Sequence, residues 1–562
     1  MDNILVSISI IIGVAALLSI MARIIKQPPI IAYLVAGLIV GPIGLNIIGA
    51  NSEFIQIFAR MGIALLLFIV GLSLDFRVLK EFGKVSSLAG LGEILVTAVA
   101  GFLLSLALEF RNIQAMYLAA AFAFSSTVVV VKLLSDKKEM DTLHGRIALG
   151  ILIVEDFVAG LVLMLVPILQ TSNGGLIILG ITKIILLIAA VFIFSTFVLN
   201  KFTHYLAKHQ ETLFLFGIAW AFLIASLFYY FGLSLEIGAL IAGMSLASSK
   251  YTLELGGKIK PLRDFFVVLL FVYFGSKLVG PISSKLIWNA LAFSALILIG
   301  KPLIVMSFMK LFGYKKRTNF LTGSSLAQLS EFSLILILFG FTSGILSQST
   351  MNLAVLISVI TIGISSYSIF YSHKIFNKIS HLLDIFEGTN NEIESEENKK
   401  EIYDVILFGY HRIGYKILQT LKKLNKKFVV IDYNPKVILS LSKQGINCIY
   451  GDALDPGFLS EIKLGKAQLI ISTLPEEEAN LSIKRMLKEL GSKATFVATA
   501  EQPRNALDLY NENVDYVIVP HHLGGDYISK IIEKFGTDKS KYDQLGKTHK
   551  KELIKARNTS NF

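Results

Sequence analysis

Ile151-Leu-Ile-Val-Glu155-Asp156-Phe-Val-Ala-Gly160 puts two adjacent carboxylates in the middle of an apolar run that extends from 145 to 169. A run of that length suits a helix crossing a hydrocarbon layer about 30 Å thick. An ionisable side chain at such depth is expensive, so it pairs with another charge or lines a pathway. Successive helix positions point about 100° apart, so only one of the two carboxylates faces a given site squarely. Asp156 is the expected ion- and proton-binding group, with Glu155 its neighbour in a polar cavity. A carboxylate takes either a proton or a hard alkali cation through oxygen. Burial favours its neutral form, so the two ligands compete.

Around this stretch the composition is that of a membrane protein. The chain has 562 residues, 54% hydrophobic and only 17% charged, where soluble domains carry about 25% charged residues. That excludes a soluble enzyme as the whole molecule, and no enzyme activity is expected. Residues 1–371 hold 25 Lys and Arg against 16 Asp and Glu, and residues 372–562 hold the remaining 28 against 25. The net charge of +12 falls mainly in the apolar part, so membrane topology explains it and no nucleic-acid partner is expected. A single cysteine, Cys448, excludes a disulfide framework and a Cys-based zinc site.

Thirteen apolar segments are candidate spans, near 4–25, 29–47, 53–74, 85–108, 113–134, 145–169, 175–199, 211–231, 232–249, 263–281, 286–312, 318–343 and 349–371. Met1 leads almost directly into the first, with no small-residue cleavage site behind it, so no signal peptide is expected. Loops after odd-numbered spans hold 19 basic residues, from Arg23 and Lys26 to Lys315, Lys316 and Arg317. Loops after even-numbered spans hold only Arg111, Lys183, Lys277 and Lys285. The positive-inside rule then places the amino end outside and everything after 371 in the cytoplasm.

The apolar part also repeats. Ala32-Tyr-Leu-Val-Ala-Gly-Leu-Ile-Val-Gly41 in the second span shares its small-residue rhythm with Ile237-Gly-Ala-Leu-Ile-Ala-Gly-Met-Ser-Leu246 in the ninth. Phe124-Ser-Ser-Thr127 in the fifth is matched by Ser324-Ser-Leu-Ala-Gln-Leu-Ser-Glu331 in the twelfth. Both pairs are seven spans apart, an odd offset, so the copies run in opposite directions. Inverted repeats of this kind are a transporter feature. Ser125, Ser126 and Thr127, and Ser324, Ser325, Gln328 and Ser330, are expected to break their helices and offer hydroxyls and freed carbonyls to a cation. Glu331 is expected to cap or orient the second break. Lys301, before Pro302 in the eleventh span, is expected to neutralise Asp156 when no cation is bound, or to release a proton when one arrives. Arg60, Glu93 and Glu236 are read as lying nearer an edge.

Residues 372–400 are polar and acid-rich and read as a linker. Asp404-Val-Ile-Leu-Phe408 reads as a buried strand, followed by Gly409-Tyr-His-Arg-Ile-Gly414 and an amphipathic helix. A second strand, Lys427-Phe-Val-Val-Ile431, ends at Asp432. This is the order of a dinucleotide-binding unit, with Asp432 suited to ribose hydroxyls. The middle glycine of the motif is His411. Strand-like segments at 447–452, 467–472, 494–499 and 516–519 continue an α/β Rossmann-like rhythm through about residue 535. Gly409, His411, Arg412, Gly414, Asp432 and Asp452 are the candidate nucleotide-binding residues. The tail, 536–562, is basic and expected to be flexible.

Together, Gln27–Pro42, Leu65–Asp75, Phe124–Leu134, Gly145–Asp156 and Leu326–Phe332 resemble the cation:proton antiporter-2 family, specifically its Kef-type potassium/proton members. Residues 401–535 resemble the RCK (TrkA-N) domain often fused to them. The resemblance covers about 4–535. It implies a polytopic α-helical transporter with crossed broken helices in spans five and twelve, and Asp156 as the family aspartate. It further implies a homodimer in the lipid bilayer of a prokaryotic cell membrane, with a dimer-forming scaffold beside a mobile core. The cytoplasmic domain would take a regulatory nucleotide, either NAD(H) or an adenine nucleotide (AMP or ATP). Kef-type members usually carry Gln-Asp where this chain has Glu155-Asp156, and a paired acid with a membrane lysine is similar to the electrogenic sodium/proton branch. The exchanged cation is therefore potassium or sodium, with the RCK fusion favouring potassium. An RCK-gated potassium channel would need a Thr-Val-Gly-Tyr-Gly type filter, and a dehydrogenase would need a catalytic domain after the dinucleotide fold. The sequence carries neither.

Overall fold

The apolar segments become helices because only a helix satisfies every backbone N–H and C=O within its own segment where water is absent. The computed structural model describes residues 4–388 and 401–559, apart from 48–52, 74–82, 138, 141, 170–173, 200–209, 248, 250, 411–412, 425 and 455. The chain divides into two units, residues 1–391 and 392–562.

The first unit is helical. Its elements are α1 (Ile4–Ile24), α2 (Pro29–Val40), α3 (Glu53–Ser73), α4 (Gly83–Ala107), α5 (Asn112–Phe122), α6 (Thr127–Asp136), α7 (Leu143–Leu169) and α8 (Gly174–Phe194). They continue as α9 (Gln210–Tyr230), α10 (Leu235–Leu246), α11 (Thr252–Ser276), α12 (Ser284–Ala295), α13 (Lys301–Leu311), α14 (Lys316–Ser325), α15 (Glu331–Thr342) and α16 (Gln348–Phe370). Helix occupies part of each of the thirteen expected spans. Among the described residues, eight helical stretches are long and apolar enough to cross a membrane, and α2, α10 and α15 are among the shorter apolar ones. The tenth expected span begins earlier than its hydropathy suggested: α11 starts at Thr252 and carries Lys258, Lys260 and Arg263 in its first half.

Two groups of helices form. In one, α2 packs on α11, α3 on α10 and α11, and α9 on α10. In the other, α4 packs on α5, α7 and α13, and α13 on α14. Glycines set the closeness of the first group. A Cβ on Gly37 would lie 2.1 Å from Val272 O, and one on Gly275 would lie 2.1 Å from Leu34 O. A Cβ on Gly243 would lie 2.1 Å from Phe68 O, and one on Gly71 would lie 2.3 Å from Leu240 O. The first contact joins spans two and ten, the second joins spans nine and three. A seven-span offset turns one into the other, as the inverted repeat requires.

The first half of the expected linker belongs to this unit. Ser372–Ile379 (α17) and a tight turn, Ser380–Phe386, are helical. Phe376 and Leu383 bury against Met306, Phe320 and Leu321. Ile375, Phe376, Ile379 and Leu383 recur at three- and four-residue spacing, which makes one apolar face. The later part of the linker, 389–400, lies outside the described residues.

The second unit is a six-stranded parallel sheet of β1 (Val405–Phe408), β2 (Phe428–Asp432), β3 (Cys448–Tyr450), β4 (Leu469–Ser472), β5 (Thr495–Thr499) and β6 (Tyr516–Ile518). Their order is β3-β2-β1-β4-β5-β6, the doubly wound arrangement. All six expected strand segments form. Within the tail, Lys539–Thr559 is helical.

Candidate functional site

Spans five and twelve are interrupted, as their hydroxyl clusters suggested. Between α5 and α6, residues 123–126 leave the helix, and Ser126 Oγ caps α6 by accepting from Val129 N at 3.4 Å. Between α14 and α15, residues 326–330 do the same, and Ser330 Oγ accepts from Phe332 N at 3.1 Å. Serine suits this position because its oxygen meets an N–H that the helix start leaves unpaired.

The two breaks are tied to each other. Ser330 N donates to Phe124 O at 3.1 Å, and Ser125 Oγ to Leu326 O at 2.9 Å. Gln328 Nε2 donates to Ser126 O at 3.3 Å while its Oε1 accepts from Ser365 Oγ at 2.7 Å. Ser126 Oγ donates to Glu331 Oε2 at 2.9 Å. This differs from the expectation that Ser125, Ser126, Gln328 and Ser330 present free ligands to an ion. Buried polar groups satisfy one another, and these side chains tie the two breaks together. Ser324 Oγ donates within its own helix to Leu321 O. Glu331, expected to cap or orient the second break, begins α15 and accepts the Ser126 bond from the first break.

Asp156 and Glu155 part company on α7. Glu155 is fully buried and accepts from Ser125 N at 2.5 Å and Ser125 Oγ at 3.3 Å. Asp156 turns to Thr127, whose Oγ1 donates to Oδ2 at 2.9 Å. Among the described residues, Asp156 Oδ1 is buried with no hydrogen-bond partner.

Lys301 departs from expectation: it faces Glu155 rather than Asp156. Its Nζ donates to the Ala123 carbonyl freed by the first break at 2.7 Å. Nζ also lies 3.6 Å from Glu155 Oε2 and 3.4 Å from Glu93 Oε1, with all three side chains fully buried. A turn of π-helix, Leu296–Gly300, precedes Lys301, and Pro302 has no N–H to return to that turn. Glu93 was read as nearer an edge and was missed as a partner of Lys301. Its signal was the sequence Gly90-Leu-Gly-Glu93, a carboxylate flanked by glycines inside an apolar run. A Cβ on Gly92 would lie 2.4 Å from the Phe308 ring of α13, and one on Gly90 would touch Val154 of α7 at 3.3 Å. These glycines bring α4 close to the helices that carry Lys301 and Glu155.

In the second unit, Gly409 ends β1 with φ +83°, and a Cβ there would meet Thr473 Oγ1 at 2.5 Å. A Cβ on Gly414 would lie 2.1 Å from Gly409 O. Both positions therefore need glycine. They lie at the boundary of β1 and β4, where strand order reverses and ligands bind in such sheets. Asp432 Oδ2 accepts from Tyr410 N at 2.8 Å and Oδ1 from Asn434 N at 2.8 Å. Asp432 ends β2, the position where ribose hydroxyls are met in such sheets. Asp452 Oδ1 accepts from Leu454 N at 2.9 Å and shapes the turn after β3. His411 and Arg412 lie outside the described residues. Burial pushes the Cys448 thiol up to about 11, so this cysteine is not a thiolate nucleophile at neutral pH.

Residues 11–371 match the transmembrane sodium/hydrogen exchanger family. The chain belongs to this family. Residues 405–520 of this exchanger match the TrkA-N domain. The exchanger is 28% identical over 479 residues to the putative cation/proton antiporter YbaL of Escherichia coli, covering 82% of this chain and 85% of that one. It is 27% identical over 539 residues to the glutathione-regulated potassium-efflux system protein KefC of Escherichia coli, covering 91% and 82%. With K(+) efflux antiporter 6 of Arabidopsis thaliana it shares 34% identity over 330 residues, 55% of this chain and 53% of that one. The sodium proton antiporter MjNhaP1 of Methanocaldococcus jannaschii, solved at pH 8, superposes with a TM-score of 0.50 at 17% identity. That match covers 68% of this exchanger and all of the other chain, and it shows the shared fold.

Proposed function

We propose that this membrane antiporter exchanges potassium, in preference to sodium, for protons, and that Asp156 carries either ligand. The observation that carries the reading is the buried, unpartnered Asp156 Oδ1 beside two crossed helix breaks. A buried carboxylate oxygen without a donor is costly unless a proton or cation completes it. Thr127 orients the carboxylate through its other oxygen. The preference for potassium is supported by the relatives named for potassium efflux and by the TrkA-N domain.

The cycle is alternating access. Asp156 exchanges its ligand on one side, and the group of helices around the crossing moves against the glycine-packed group to expose it on the other. A cavity of about 470 Å³ lies between the glycine-packed group, which contributes Gln56, Arg60, Glu236 and Tyr273, and α15, which contributes Leu338 and Thr342. The amino end faces outward and the TrkA-N domain lies in the cytoplasm, in keeping with the basic loops. The working unit is a homodimer in the cell membrane. NAD(H) or an adenine nucleotide at Gly409, Gly414 and Asp432 regulates it.

Purified wild type and Asp156→Asn, each in proteoliposomes with an imposed pH gradient, test the proposal on addition of potassium and then sodium. Potassium is expected to dissipate the gradient in wild type and not in Asp156→Asn. Near-normal exchange by that variant would sink the assignment, and dissipation by sodium alone would reverse the cation preference.

A further inference from the structure

Lys301 has four carbons of flexible reach and lies one helix position of Glu155 away from the exchanging carboxylate. An ammonium so placed is a tethered rival for any alkali cation at Asp156, since both are monovalent and both seek carboxylate oxygen. Something must hold it aside. Three acceptors do so: the Ala123 carbonyl at 2.7 Å, Glu93 Oε1 at 3.4 Å and Glu155 Oε2 at 3.6 Å.

Glu93 is the acceptor best built for the task. It lies on α4, a different helix from the one that carries Asp156, in a contact that Gly90 and Gly92 draw tight. Thr97, one turn further along α4, donates its Oγ1 to Glu93 Oε1 at 2.8 Å and so fixes the carboxylate's direction. That oxygen is the one nearest Lys301, while Glu93 Oε2 is buried without a partner. The side chain is fully excluded from solvent, and Thr97 and Lys301 both meet it at Oε1. Glu155, by contrast, is bound to Ser125 N at the start of α6 and sits on the same helix as Asp156. Of the two carboxyl groups, only Glu93 holds the ammonium from a helix other than α7.

We propose that Glu93 is a positioning residue for exchange: with the Ala123 carbonyl it anchors the Lys301 ammonium off Asp156, and so sets how well an external cation competes for that site. The residue touches neither the transported cation nor Asp156. Loss of the anchor frees Lys301 to swing toward Asp156, where it occupies the vacant oxygen and must be displaced by each incoming cation.

The inference rests on Asp156 as the carrying group, and the test separates the two. Potassium-driven proton movement is measured in proteoliposomes of the full chain as a function of potassium concentration. Glu93→Gln, which keeps the side chain's shape while replacing one carboxyl oxygen with an amide that cannot accept from Lys301, is expected to raise the half-saturating potassium concentration about tenfold, within the usual range for coupling between neighbouring sites. The maximal rate is retained. Glu93→Asp restores much of the affinity. Thr97→Val, which leaves every charge in place, shifts half-saturation in the same direction by less. A fall in maximal rate with half-saturation unchanged, or no change in any of these variants, overturns the inference. If Asp156→Asn still exchanges, the carrying-group reading has failed. If Asp156→Asn is inert and Glu93→Gln leaves half-saturation unmoved, only the anchoring role has failed.

Discussion

Two clusters of ionisable side chains in the membrane unit use the same chemistry in opposite proportion. At the crossing, one ammonium, Lys301, lies between two carboxylates, Glu93 and Glu155, and all three are fully buried. Before the start of α7, one carboxylate, Glu139, is surrounded by Lys137 at 2.9 Å, His373 at 2.7 Å and His144 at 3.3 Å. Arg317 donates to His373 Nδ1 at 3.0 Å, which puts the histidine proton on Nε2, where it donates to Glu139. The first cluster is short of positive charge in a dry place, beside a carboxylate that is itself incomplete. The second has donors to spare, and each is engaged: Lys137 Nζ also reaches Ile369 O and Ser372 Oγ, both at 3.0 Å. Deficit of positive charge makes a ligand site; sufficiency makes a structural tie, here joining the loop after α6 to α17.

The largest effect should come from removing the Lys301 ammonium. Lys301→Met leaves two buried carboxylates uncompensated, and breaking a buried pair in this way costs about 3–5 kcal/mol. Thermal unfolding of the purified protein should fall accordingly, and Lys301→Arg should lose less. A Lys301→Met protein as stable as wild type would mean that the two carboxylates are not balanced by charge, and the contrast between the clusters would collapse.

Glu139 tests the other side. Burial opposes its charge, but hydrogen bonds from His144 and His373 and the charge of Lys137 hold its carboxyl well below the usual carboxylate range. A depressed folded-state value gives stability that is complete above the unfolded value and lost as pH falls through the folded one. Amide exchange over 372–386 should therefore be slow at neutral pH and should quicken only on strong acidification. Glu139→Gln should speed that exchange at neutral pH, equivalent to about 1–3 kcal/mol for a broken buried network, and should remove the acid dependence. If the variant exchanges as slowly as wild type, α17 is held by Phe376 and Leu383 alone.

The contrast also marks what the sequence made legible. Hydropathy and basic loops revealed where the spans lie, the small-residue rhythms revealed the inverted pairs, and Ser125–Thr127 and Ser324–Ser330 revealed the breaks. Each of these is a property of one segment. The strands of the second unit were equally plain, because buried parallel strands are short apolar runs closed by glycine or acid. Partnership was not legible. Depth along a span can be counted, but the rotation of one helix against another cannot, so Lys301 was paired with Asp156 when its neighbours are Glu155 and Glu93. Glu93 was placed near an edge for the same reason. Residues 372–386 were hidden by composition: their polar majority masks four apolar side chains on one face.

The smallest effect expected at the crossing is that of Ser125→Ala, and it sharpens what neutralises Glu155. Ser125 offers Glu155 two donors, its N–H at 2.5 Å and its hydroxyl at 3.3 Å. The variant keeps the N–H, which opens the positive end of α6 toward the carboxylate. It loses the hydroxyl's better bond, to Leu326 O at 2.9 Å, but Gln328 N still donates to that carbonyl at 2.9 Å. The net loss is about 1 kcal/mol, that of one ordinary hydrogen bond, read as a small fall in unfolding temperature with potassium-driven exchange retained. Abolished exchange in Ser125→Ala would mean that the hydroxyl itself acts at the ion site. The tie between the two breaks would then be part of the binding machinery rather than the frame that holds Asp156 in place.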